Sequence, residues 1–271
     1  MFQRSTQHCQ LWGILELKDE NSKILQTFKS NLDSVYRLSE FDQIIINVAI
    51  TGLKKVIDNL KNVRGIDNPH LLPQSTLNTF ENIKENNSLR PQYQEMFNQC
   101  VVLLVSYFSS SLHKLFVNSL KYFIPSLQNR QILAEEVRVT LKEVQETNFD
   151  FSKRIGEWIV RTKDISFQDM QSICRAFENY FEIEIERGKT INNIIIGQAC
   201  RHIIVHNGSV ADDRFINQVS KALPRDLKQK FKIKEKIKFN TDEIHVIGDS
   251  MHEFFSNIVK NINKKLNSKE V

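Results

Sequence analysis

The chain has 271 residues, 41% of them hydrophobic and 25% charged, with a net charge of +5. That length can bury one good core or two modest ones, and the balance of apolar and charged residues excludes a disordered chain. With only 8 glycines and 5 prolines, breaks are rare, so long helices are expected rather than a sandwich of short strands. The mild positive charge permits a nucleic-acid partner without demanding one.

Cys9, Cys100, Cys174 and Cys200 show no Cys-x-x-Cys pair and no metal-ligand spacing. They read as free thiols of a reducing compartment, with Cys174 and Cys200 expected in the core. The first residues lack a signal-peptide pattern, and apolar runs such as Val101–Val105 fall far short of the roughly 18 residues of a membrane span. The expectation is a soluble, cytoplasmic protein with no membrane partner.

Residues 1–18 fit either a short strand or an irregular packed segment. Ile24, Leu25, Phe28, Leu32, Val35 and Tyr36 then fall at helical spacing, and a second helical pattern from Phe41 to about Val63 completes a helical hairpin. Two prolines and a glycine in residues 65–73 suggest a linker, followed by a short helix from Ser75 that ends near Asn86. Residues 1–95 carry 11 basic and 11 acidic side chains, so this part is neutral and suits packing or partner binding better than a nucleic-acid arm. The division expected is a helical N-terminal region over 1–90 and a main domain over 91–271.

Arg90-Pro91 opens a long helix running to about Tyr122, apolar nearly all round between residues 100 and 108 and therefore central or part of a dimer interface. Next come a charged amphipathic helix over Arg130–Glu146, a helix over Phe151–Arg161, and a longer one from Ser166 to about Arg187, with Ser166 as N-cap and Asp169 at its third position. An apolar helix over Ile191–Val205 follows, then a helix over Ala211–Leu223. Lysine alternates with apolar residues over Lys230–Phe239, the period of a half-buried strand. A turn at Asn240-Thr241-Asp242 would lead to a second strand, Glu243–Ile247, making a small β hairpin before a terminal helix over Asp249–Leu266.

The chemistry gathers in Cys200-Arg201-His202-Ile203-Ile204-Val205-His206-Asn207-Gly208. A guanidinium and two imidazoles lie within six residues, just ahead of an Asn-Gly pair that can stop a helix. His202 and His206 are four apart and share a face, whereas Arg201 and His206 are five apart and point roughly 140° away from each other. For both to act on one substrate, either the last turn unwinds at Asn207-Gly208 or a second copy of the helix faces the first across a two-fold axis; the second arrangement is favoured.

Arg201, four intervening residues and His206, with polar His202 directly after the arginine, resemble the R-x(4–6)-H motif of HEPN-domain ribonucleases. The order of helices over roughly residues 92–266 is similar too, and the first ninety residues lie outside the resemblance. It implies a mainly α, HEPN-like bundle and a metal-independent endoribonuclease of a bacterial toxin or antiviral-defence system. RNA is the implied substrate, the protein acting as a homodimer with an antitoxin or defence-system protein as a further partner. The alternative is a non-catalytic HEPN module that binds RNA, nucleotide or a partner protein. Some members carry a modifiable tyrosine two residues after the histidine; here Gly208 stands there, and the resemblance does not extend to that regulation.

On this reading Arg201 would hold phosphate oxygens and stabilise charge building on phosphorus, against the alternative of a surface ion pair. His206 would be general base or acid, against a histidine that only caps helix carbonyls. His202 would orient Arg201 or the phosphate, or simply be exposed. Asn207 would cap the helix or touch phosphate. Six lysines against one glutamate between Lys228 and Lys238, with Lys230, Lys232, Lys234 and Lys236 as RNA contacts, would track phosphates or only protect a strand edge. Two histidines without a neighbouring carboxylate are too few ligands for a zinc site. No metal and no cofactor is expected.

Overall fold

The computed structural model describes residues 3–61, 71–124, 133–228 and 230–268. The sequence yields α1 over Gln3–Ser39 and α2 over Phe41–Leu60. Then come α3 over Leu71–Glu85, a 3-10 turn over Arg90–Tyr93 with Pro91 in its first turn, and α4 over Gln94–Phe123. Shorter helices follow: α5 over Leu141–Glu146, α6 over Ile155–Thr162 and α7 over Met170–Phe181. The motif helix α8 covers Lys189–His206, α9 covers Asp213–Lys221 and α10 covers Thr241–Ser268. The protein is mainly α, and among the described residues there is no strand, only an isolated antiparallel bridge between Val210 and Lys236.

Helix α4 is the axis. Phe97, Cys100, Val101, Leu104, Phe108, Leu112, Leu115, Phe116 and Leu120 are buried on it, spaced by three and four residues and so forming one broad face, while Gln99, Ser106, Ser110 and Lys114 are exposed on the other. It packs against α1, α6, α7, α8 and α10. Residues Pro91–Phe123 are long and apolar enough by composition to cross a membrane, and half of their most apolar window is buried inside this fold. Phe116 meets Phe167, Phe177, Tyr180 and Phe181 edge-on at 5.3–5.6 Å, the geometry the ring quadrupole favours.

The irregular segment or short strand expected over residues 1–18 is instead, from Gln3, the start of α1, since no proline interrupts it and the single Gly13 is tolerated. Buried Leu17, Asn21, Phe28, Leu32 and Val35 lie at multiples of three and four residues, one stripe set against α4 and α10. The buried Asn21 accepts from Asn118 and Ser119 on α4 at 3.4 and 3.5 Å. Ile46, Ile50, Ile57 and Leu77 make a second, smaller cluster between α2 and α3. Of the linker expected over 65–73, residues 65–70 lie outside the described residues, and 71–73 are already the first turn of α3.

Three further expectations are corrected. The helix expected over 130–146 is not continuous: residues 135–140 are not helical, and Leu141–Glu146 is a separate short helix. Thr140 caps it, accepting from Glu143 N while the Glu143 carboxylate accepts from Thr140 N, a reciprocal pair that starts a helix at this point. The helix expected over 166–187 is shorter at both ends. Asp169, not Ser166, is its N-cap, accepting from Ser172 N at 2.8 Å, and Glu182 in the left-handed region (φ +53°) ends it.

The β hairpin expected over 230–247 does not form. Lys234 takes a positive φ (+64°) and turns the chain there, which breaks the alternation. Asn240 and Glu243 then make a capping pair, each side chain accepting from the other's backbone N–H at 2.9 Å, so Glu243–Ile247 becomes the first turns of α10.

Candidate active site at the end of the motif helix

Helix α8 is buried nearly all round from Ile191 to Cys200, between α4, α10, α7 and α9. Burial raises the Cys200 thiol well above its ordinary value, leaving it an inert core group. Beyond Cys200 the helix comes to the surface: Arg201 is half-buried, while His202, Val205 and His206 are exposed.

Asn207 N still bonds to Ile203 O at 2.9 Å, and Ser209 N reaches the same carbonyl at 3.2 Å. Gly208 and Ser209 both take positive φ (+57° and +66°), a reversal that the glycine accommodates without strain. The Asn207 amide crosses this turn to donate to Val210 O at 2.6 Å, so its side chain holds its own loop.

The lysine segment is fastened to this same turn. Lys234 N bonds Ala211 O (2.8 Å), Ala211 N bonds Glu235 O (3.0 Å) and Ile237 N bonds Ser209 O (2.8 Å). From α4, the buried Asn98 amide donates to Ile237 O at 3.2 Å, and Gln94 reaches Phe239 O at 3.1 Å. Ile237 and Phe239 anchor the segment in the core, while Lys230, Lys232, Lys234, Lys236 and Lys238 are exposed. Lys232 lies 3.4 Å from Glu235, a surface pair of small energetic weight.

The structure brings some of the expected site residues together and keeps others apart. The His202 and His206 rings are 4.8 Å apart between centroids. Arg201 leans the other way, its guanidinium 3.5 Å from Gln168 Oε1, and among the described residues no hydrogen bond or ion pair joins it to His206. Among the described residues, no three His, Cys, Asp or Glu side chains converge as metal ligands would.

Sequence reasoning missed the cleft of about 210 Å³ beside His202, between the entry to α7, the face of α8 and the first turns of α9. Gln198, Asp169, Asp212, Arg214 and Gln218 contribute its polar lining. One signal was available: Gln198, His202 and His206 are spaced by four and share a helix face. No family model matches the chain, and comparison with known proteins and with solved structures gives no match.

Proposed function

We propose that the protein is a metal-independent endoribonuclease of the HEPN type, cleaving RNA by attack of the ribose 2′-OH on the adjacent phosphorus. The observation that carries this reading is the company kept at the end of α8: two exposed imidazoles, a half-buried arginine one residue before them, and an exposed lysine segment bonded to the turn that follows. Neutral imidazole at His206 takes the 2′-OH proton, and the end of the helix stabilises the imidazolium that results. The Arg201 guanidinium meets the charge gathering on the phosphorane oxygens, and His202 orients the phosphate. The bond to the 5′ oxygen then breaks as that oxygen takes the proton held by the imidazolium, leaving a 2′,3′-cyclic phosphate and a 5′-hydroxyl and restoring neutral imidazole.

Because Arg201 and His206 diverge on one helix, the working site is a cleft shared by two copies of the chain, with α8 of each facing the other. Lys230, Lys232, Lys234 and Lys236 hold the flanking phosphates, so binding weakens as salt rises. The setting, a toxin or antiviral effector acting in the cytoplasm with an antitoxin or defence-system protein as partner, rests on the resemblance alone.

One observation favours a second reading. Arg201 is turned toward Gln168 rather than His206, which suits a non-catalytic module that binds RNA, nucleotide or a partner protein. Incubating wild type, Arg201→Ala and His206→Ala with a mixed single-stranded and structured RNA pool in EDTA separates the two. Cleavage by wild type that both substitutions abolish supports the nuclease; binding with no cleavage, or cleavage indifferent to both substitutions, supports the binding module.

A further inference from the structure

The cleft beside His202 has a lining that phosphodiester cleavage does not use. Gln198 is only 7% exposed, and its Oε1 accepts from Met170 N at 3.0 Å, which fixes the orientation of the amide. The other end, Nε2, is closed off from solvent and has no acceptor. A buried donor left unmatched costs free energy that a ligand oxygen would recover.

Asp169 and Asp212 also line the cleft. Each caps its own helix with one carboxylate oxygen, accepting from Ser172 N and Phe215 N at 2.8 Å. The second oxygen of each is left to accept from a ligand. The two carboxylates outweigh the single guanidinium of Arg214 in this lining, so the cleft does not favour an anion. Ala199, Ile203 and Phe215 supply apolar surface between these polar groups, which suits a flat ring carrying N–H donors and a carbonyl on its edge.

We propose that this cleft is a nucleobase subsite and that it takes guanine. Guanine sets two adjacent N–H donors, N1–H and the N2 amine, beside its O6 carbonyl. The donors face the two carboxylates and O6 faces Gln198 Nε2, as bases of unpaired RNA are read by their edges. Gln198, His202 and His206 lie along one face of α8, so a base held at Gln198 leaves its own ribose and phosphate beside the imidazoles. The proposal rests on the reading of RNA as substrate and adds its base preference.

The test is fluorescence anisotropy with short, labelled 2′-fluoro RNA strands that differ only at one central base and lack the attacking hydroxyl. Wild type is expected to bind the guanine strand about tenfold more tightly than the other three, the scale of one good edge contact. Two variants probe the cleft. Asp212→Asn keeps a residue that caps helices well, and Gln198→Glu keeps the acceptor for Met170 N while replacing the donor. In each the preference should fall to within about threefold, with binding of the other strands retained. Equal binding of the four bases, preference for another base, no binding of any strand, or a guanine preference that survives both substitutions overturns the proposal. Parallel digestion of the unmodified strands in EDTA keeps the two ideas apart: cleavage without base preference removes the subsite and leaves the nuclease, whereas a guanine preference without cleavage does the reverse.

Discussion

The same substitution, glycine to alanine inside a helix, should have opposite signs at two places in this protein. Gly156 sits in α6 where that helix crosses α4, and a Cβ built there would lie 2.8 Å from Val117 O and 2.9 Å from Val117 Cα. Alanine raises helix propensity by at most about 1 kcal/mol. The clash is with backbone, which cannot rotate aside, and overpacking of this kind costs about 1–3 kcal/mol, occasionally more. Gly156→Ala should therefore lose about 1–2 kcal/mol, a fall of about 2–8 °C in Tm for a chain of this size. A Cβ at Gly52 in α2 would meet nothing within 4 Å, so Gly52→Ala should gain about 0.5–1 kcal/mol from the lost freedom of the unfolded chain. Thermal denaturation followed by circular dichroism at 222 nm compares the two. A Gly156→Ala protein as stable as wild type would show that α6 and α4 do not cross this closely.

Other consequences follow from burial and capping. Burial pushes the Cys100 and Cys174 thiols up to about 11 and raises the Cys200 thiol well above its ordinary value, so these three should resist an aromatic disulfide reagent at pH 8 until the protein is unfolded; labelling of any of the three in the native protein within minutes would contradict their placement. Asn240→Ala removes the side-chain acceptor at the start of α10 and should cost about 0.5–2 kcal/mol in urea denaturation, with faster amide exchange confined to the first turn; an unchanged midpoint would mean that the cap contributes nothing. Burial lowers the pKa of His113, whose ring meets Phe167 edge-on at 5.3 Å. Its folded-state pKa lies below the unfolded value, so its contribution is present at neutral pH and is lost as pH falls below about 6.5. The urea midpoint of wild type should therefore drop more between pH 7 and 5 than that of His113→Phe, and parallel curves would refute the assignment.

Helix α4 was legible because a long apolar pattern at helical spacing follows Arg90-Pro91 without a break, and α8 because an apolar run ended in Asn-Gly. The failures have physical reasons. Lys230–Phe239 alternates lysine with apolar residues except at Glu235, but alternation does not reveal the positive φ at Lys234, and the capping signal in Asn240-Thr241-Asp242-Glu243 reads equally as a turn. Ser166 and Asp169 both satisfy an N-cap pattern three residues apart, and only the bond from Ser172 N decides between them. At the site, the arginine, both histidines and the lysine segment could be read from the chain. The attachment of that segment to residues 209–211 could not, nor could the cleft at Gln198. Both depend on how α4, α7 and α9 are brought against α8, which no local pattern encodes.

The central claim is a 2′-OH attack performed by side chains at the end of α8, and its most direct test is the chemistry of the ends produced. RNA digested by the wild-type protein in EDTA should carry 2′,3′-cyclic phosphate on the upstream fragment and 5′-hydroxyl on the downstream one, and a strand with a single 2′-deoxy residue should resist cleavage at that position only. Fragments ending in 3′-hydroxyl and 5′-phosphate, or cleavage that ignores the missing 2′-OH, would contradict the account.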